Sequence, residues 1–108
     1  LNPNDMQQMM QKAQEMQSKM GELQAELAVR RFEASAGGGM VSAAVSGGLR
    51  VLSVEIEPGL IADNDRGMIQ DLTAAAVNAA LTKAQEAVAA EMAKMQNSML
   101  SGLPGMGQ

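Results

Sequence analysis

The feature that most constrains this chain is its C-terminal stretch from about Asp65 to Leu100, which reads as one helix and has little core to lie against. Thirty-odd residues at about 1.5 Å each make a rod of roughly 50 Å, whereas a strand of about seven residues spans only about 23 Å. A large part of the rod must therefore find a partner beyond its own sheet. The N-terminal helix and a second copy of the chain are the partners on offer, which points to a binding or architectural protein.

The supply of core is small. The 108 residues are 46% hydrophobic, but the only aromatic is Phe32 and much of the apolar total is Ala and Met. A single domain of this size buries a limited share of its surface, and association would supply what is missing. His, Cys, Tyr and Trp are all absent. Disulfides, thiolate or imidazole metal ligands and the commonest general base are thereby removed, so neither catalysis nor a cofactor nor a small-molecule substrate is expected. No charged segment followed by an apolar run marks a signal peptide, and the Ala-rich run near Val77 is broken by Asn78 and Lys83. The expected setting is cytoplasmic, with no membrane partner. Twelve acids against eight bases give a net charge of −4. That opposes the broad basic field of a non-specific nucleic-acid binder, so any such contact must be local.

Behind a helix cap at Asn4 or Asp5, apolar residues fall on a heptad in which Met6, Ala13, Met20 and Leu27 alternate with Met9, Met16 and Leu23. Alternating spacings of three and four mark a narrow seam for another helix, and Met10 widens it at one end. Gln7, Gln8, Gln11, Gln14, Gln17 and Ser18 fill the other faces, giving a helix over about 3–28. From Val29 the period becomes two: Phe32, Ala34 and Ala36 alternate with Arg31, Glu33 and Ser35 until Gly37-Gly38-Gly39 breaks the strand. Val41, Ala43 and Val45 alternate with Ser42 and Ala44, and Gly47-Gly48 supplies the positive φ of a hairpin turn. Leu52, Val54 and Ile56 then alternate with Ser53, Glu55 and Glu57. Strands are expected at about 29–36, 40–46 and 49–57, in an antiparallel sheet with one dry face and one wet.

Pro58-Gly59 ends the third strand, Leu60-Ile61 tucks under the sheet, and Asp63, Asn64 or Asp65 caps a helix over about 65–100. Its first half offers Ile69, Leu72, Ala76, Val77, Ala80 and Leu81 to the sheet. Beyond Lys83 the stripe thins to Ala87, Val88, Met92, Met95 and Met99, at positions able to face the methionine seam of the first helix. Residues 101–108, with Gly102, Pro104, Gly105 and Gly107, read as a flexible tail. The fold class is α+β in the order α-β-β-β-α, one domain over residues 1–100.

Few constellations carry chemistry. Glu55 and Glu57 share a strand face and are explained by solvation. Asp63 and Asp65 resemble half a calcium loop, but Gly67 comes one place too early and no Glu closes the pattern, so helix capping is the better reading. The triple glycine has no Lys-Ser/Thr pair after it and leads into a strand, which makes it a turn and not a phosphate cradle. Met9, Met16, Met20, Leu23, Met92 and Met95 are the candidate dimer or helix seam, though a flexible, polarizable methionine surface also serves as an adaptable docking face. Lys12 and Lys19, and likewise Lys83 and Lys94, fall nearly in line along their rods. Glu15 lies four before Lys19 and Glu91 three before Lys94, so intrahelical ion pairs explain these bases as well as phosphate contacts do.

The strings MQQMMQKAQEMQSKMGELQAEL, VSGG, LSVEIEPGLI, MIQDLTAAAVNAALTKAQE and GLPGM together span nearly the whole chain. In this combination the chain resembles the YbaB/EbfC family of bacterial nucleoid-associated proteins, the passage from Leu52 to Glu86 being the most specific part. The resemblance implies an intertwined homodimer whose strands join across a two-fold axis and whose terminal helices project as arms. It also implies non-enzymatic binding of double-stranded DNA in the nucleoid, with roles in nucleoid organisation and gene regulation. Carried onto this sequence, the arm positions able to touch phosphate are Lys12, Lys19, Lys83 and Lys94. Where relatives often carry further Lys or Arg on the arms, this chain has Gln and Ala. The alternative function is a protein-interaction module whose Met-rich arms clasp a partner helix.

Overall fold

The first helix, α1 (Pro3–Val29), is opened by Asn2, whose side-chain oxygen accepts the Asn4 N–H at 3.0 Å. The cap thus falls before the expected Asn4 or Asp5, because Pro3 at the first helical position has its φ preset for a helix and no N–H to satisfy. The computed structural model describes residues 2–101, and after α1 come β1 (Arg31–Ala36), β2 (Val41–Ser46), β3 (Val51–Ile56), α2 (Pro58–Ala62) and α3 (Arg66–Ser101). Of the tail expected at residues 101–108, Ser101 closes α3 and residues 102–108 lie outside the described residues.

The strands form one antiparallel sheet in the order β1-β2-β3, as their alternation implies. Phe32 faces Val45, Ala34 faces Ala43 and Ala36 faces Val41, while Val41 and Ala43 face Ile56 and Val54 on the other side. This register puts the apolar alternation of β1 and β2, with Ile56 of β3, on the side that receives α3. Ala76, Ala80 and Ala84 lie against it with no exposure at all, in one cluster with Phe32, Val41, Ala43, Val45 and Leu60. Three alanines spaced four apart form a single shallow ridge, so the helix backbone approaches the strands closely and little side-chain volume is needed to fill the gap.

Several local expectations change. Pro58–Ala62 is a short helix, α2, with the proline in its first turn, which buries Leu60 but leaves Ile61 57% exposed. Asp65 is the residue that caps α3, accepting the Met68 N–H at 3.1 Å. The β2–β3 register slips between Ala44 and Val45, leaving Leu52 without its own partner and breaking the clean wet-and-dry alternation of β3. In the turn after β2, positive φ is carried by Leu49 at 64° and not by Gly47 or Gly48. Gly47 is needed for room: a Cβ there would collide with the Leu27 carbonyl and stand 3.3 Å from Val88 Cγ2.

The same substitution should therefore have opposite signs at two glycines. Gly47→Ala pushes the α1–α3 junction apart and should destabilise the chain by about 1–3 kcal/mol, as overpacking does. Gly21→Ala, in α1 with nothing within 4 Å of the new Cβ, should stabilise it by roughly 0.5–1 kcal/mol through helix propensity. Urea denaturation of the two variants checks both signs.

Candidate nucleic-acid interface

α3 crosses the sheet and continues beyond it. Leu72 lies at Gly37 in the β1–β2 turn, Lys83 at Glu33 in β1, and Val88 at Gly47 in the β2–β3 turn. The sheet therefore ends near Val88, and the remaining turns of α3 to Ser101 have no strand beneath them. α1 reaches this same edge at Leu27, which is 1% exposed, and touches the sheet chiefly at β2. The long dimension of 74 Å exceeds the 36-residue α3, about 54 Å at helical rise, so α1 projects outward and does not fold back over the strands.

Leu27 and Val88 thus mark a common root for two antiparallel rods. Leu23 and Met92 are each four residues out from it, Met20 and Met95 seven, and Met16 and Met99 eleven. All six are half-buried. Offsets of four, seven and eleven repeat a heptad spacing on both rods. Met9 lies beyond the end of α3 and is 64% exposed in the single chain.

The lysines occupy three different settings. Lys12 and Lys19 are exposed on α1, about 10 Å apart along the rod. Neither has an ion-pair or hydrogen-bond partner among the described residues, so the pairing of Glu15 with Lys19 does not form. Lys94 stands on the projecting half of α3, its amine 3.6 Å from the Glu91 carboxylate and its side chain 77% exposed. Lys83 is at the sheet, where its Nζ donates to the Glu33 carbonyl oxygen at 2.9 Å. The geometry therefore gathers Lys12, Lys19 and Lys94 on the projecting rods and keeps Lys83 at their foundation.

The arms are not basic overall, since Asp5, Glu15, Glu22, Glu26 and Glu91 outnumber these three lysines. Arg30 is held by Glu26 at 3.1 Å and Arg31 by Glu33 at 2.8 Å, at the root of α1 and the start of β1. Among the described residues no group of acids is placed to hold a metal ion, and no helix is long and apolar enough to cross a membrane.

The lysine settings have separable consequences for stability. Lys12→Gln and Lys19→Gln, which break no contact, should change unfolding free energy by less than about 0.5 kcal/mol. Lys83→Met should lower the urea midpoint measurably, because it removes the donor that ties α3 to β1.

Known proteins match this chain along nearly its whole length. The model of the YbaB/EbfC DNA-binding family matches residues 3–99. A "nucleoid-associated protein" of Syntrophobacter fumaroxidans is 44% identical over 97 residues, covering 90% of this chain and 86% of that protein. One of the same description from Alkaliphilus metalliredigens is 44% identical over 104 residues, covering 96% and 89%. A crystal structure of an uncharacterized Helicobacter pylori protein shares the fold, with a TM-score of 0.56, 22% identity and coverage of 82% of this chain and 98% of that one.

Proposed function

The chain belongs to the YbaB/EbfC DNA-binding family, which is not a family of enzymes, and from that premise we propose that it works as a homodimer gripping duplex DNA between paired helical arms. The observation that carries this reading is the pair of rods projecting beyond the sheet with Lys12, Lys19 and Lys94 displayed on them. The curated relatives are named nucleoid-associated proteins. The nucleoid within the cytoplasm is therefore the proposed location, and organisation of the DNA there, with its effects on gene expression, the proposed role.

Two properties support a second copy. β3 is an edge strand carrying Val51, Leu52 and Val54 at 50%, 50% and 38% exposure, with Leu49 in the turn before it at 45%. An apolar edge with unpaired backbone groups is a template for another strand, whereas the opposite edge, β1, is blunted by Arg31 and Glu33. Pairing β3 with its own copy gives an isologous contact that closes at two chains and places four rods around one axis.

DNA contact on an acidic chain is local and electrostatic: lysines meet phosphates, and Gln and Ser along α1 add hydrogen bonds to backbone oxygens. No aromatic residue stands on the arms, so base stacking plays no part and duplex is favoured over single strands. Lys83 contributes least, its ammonium being engaged at Glu33.

Duplex binding followed by fluorescence anisotropy over a salt series tests the proposal. With about six phosphates neutralised per dimer, log affinity should fall against log salt with a slope of about −5. Lys12→Glu, Lys19→Glu or Lys94→Glu each removes a contact from both chains of the dimer and should reduce the magnitude of that slope by about 2. Binding that ignores salt and these reversals, yet is lost with Met16→Gln or Met95→Gln, would instead favour an arm that clasps a protein helix.

A further inference from the structure

Beyond the Leu27–Val88 root, the residues withdrawn from solvent are nearly all methionines. On α1 from Asn2 to Glu26 they are Met16, Met20 and Leu23, and on α3 from Ala89 to Leu100 they are Glu91, Met92, Met95 and Met99. The sheet has ended by then, so the two rods are the described elements placed to cover one another. The chain has no Cys, His, Tyr or Trp, which leaves thioethers as its readily oxidised side chains. We propose that Met16, Met20, Met92, Met95 and Met99 form a modification site for a small hydroperoxide, and that their conversion to sulfoxides releases α1 from α3.

In the reaction with hydrogen peroxide, the thioether sulfur gives an electron pair to one peroxide oxygen as the O–O bond breaks. An S–O bond forms, and the departing hydroxide takes the proton from the oxygen left on sulfur to become water. Sulfur is thereby oxidised by two electrons and the peroxide reduced, and a flexible apolar side chain becomes a polar one. The new oxygen accepts hydrogen bonds, but facing thioethers and Leu23 offer it no donor. Burying it unpaired is costly, so each sulfoxide must be hydrated and the rods must part to admit water. An open hollow of about 320 Å³ lined by Gln96, Met99 and Leu100 admits the oxidant at the outer part of α3. Met6, Met9 and Met10, at 54%, 64% and 63% exposure, react sooner because susceptibility follows exposure. They already stand in water at the outer end of α1, so their oxidation leaves the rods together. The lock belongs to the single chain and stands whether or not the arms hold DNA.

The test treats the full chain with hydrogen peroxide, locates added oxygen by peptide mass and follows amide hydrogen exchange along α1. An unbraced helix frays, so once the five methionines carry oxygen, amides from Met6 to Glu22 should exchange about tenfold faster, with β2 unchanged. Two variants separate the sites. Met16→Leu, Met20→Leu, Met92→Leu, Met95→Leu and Met99→Leu together conserve volume, and the same dose should leave their α1 exchange within about twofold of the untreated rate. Met40 and Met68 remain oxidisable in that chain. In a chain with Met6→Leu, Met9→Leu and Met10→Leu, the tenfold rise should persist. Unchanged exchange in a parent chain oxidised at all five positions would overturn the proposal. An equal rise in the five-leucine chain, or its loss in the three-leucine chain, would do the same.

Discussion

The approach of Ala76, Ala80 and Ala84 to the strands is the contact on which the rest of the molecule depends. Because these positions are alanine, α3 lies close to Phe32, Ala43 and Val45, and the fully buried positions that the helix itself contributes to the core are all small. A ridge of leucines would fill more volume but lift the rod away from the sheet. The close fit also fixes direction. α3 is one unbroken helix, so its seating over β1 and β2 determines where its outer turns point and where the seam for α1 begins. Gly47 completes this root by letting the Leu27 carbonyl and Val88 meet over the hairpin.

From the root outward, the physics changes from burial to display. Met16, Met20 and Leu23 on one rod and Met92, Met95 and Met99 on the other are only half-buried, and flexible methionine side chains suit a loosely specified packing without a dry core. The charges beside it are sparse and the acids outnumber the lysines. A protein of this kind attracts DNA through the positions of a few cations and not through its overall field. Arg30 and Arg31 are paired with Glu26 and Glu33 at the root of the arms, as Lys94 is with Glu91 farther out, whereas Lys12 and Lys19 stand unpaired among the described residues.

Much of this was legible in the sequence because period and spacing are physical. The heptad of α1, the alternation in β1 and β2, and the helical stripe from Ile69 to Leu81 each required a particular element and face. The half-burial of Leu23, Met20 and Met16 and of Met92, Met95 and Met99 accords with the spacing they share in the sequence. What escaped were features fixed by contacts distant in sequence or by single-residue geometry. Capture of Lys83 by the Glu33 carbonyl joins residues 50 apart in the chain. The bulge opposite Val45 is invisible to a period-two reading, and it breaks the alternation expected to put Leu52 on the face of Val54 and Ile56. The need for glycine at position 47 looked like turn conformation and proved to be clearance beneath a helix end. Ala44 and Ser46, on the outer side of the central strand, are also buried, which no local pattern announces.

The central claim is that one chain builds a braced root but only two chains, joined through the apolar β3 edge, set opposing arms around a duplex. Sedimentation equilibrium at micromolar concentration tests it most directly, on the parent chain and on Val51→Lys, which places a charge on that edge. The parent should sediment at twice the chain mass of 11.3 kDa and the variant at the single-chain mass with its helix content retained. A parent chain that sediments as a monomer would contradict the claim, as would a Val51→Lys chain that dimerises undisturbed.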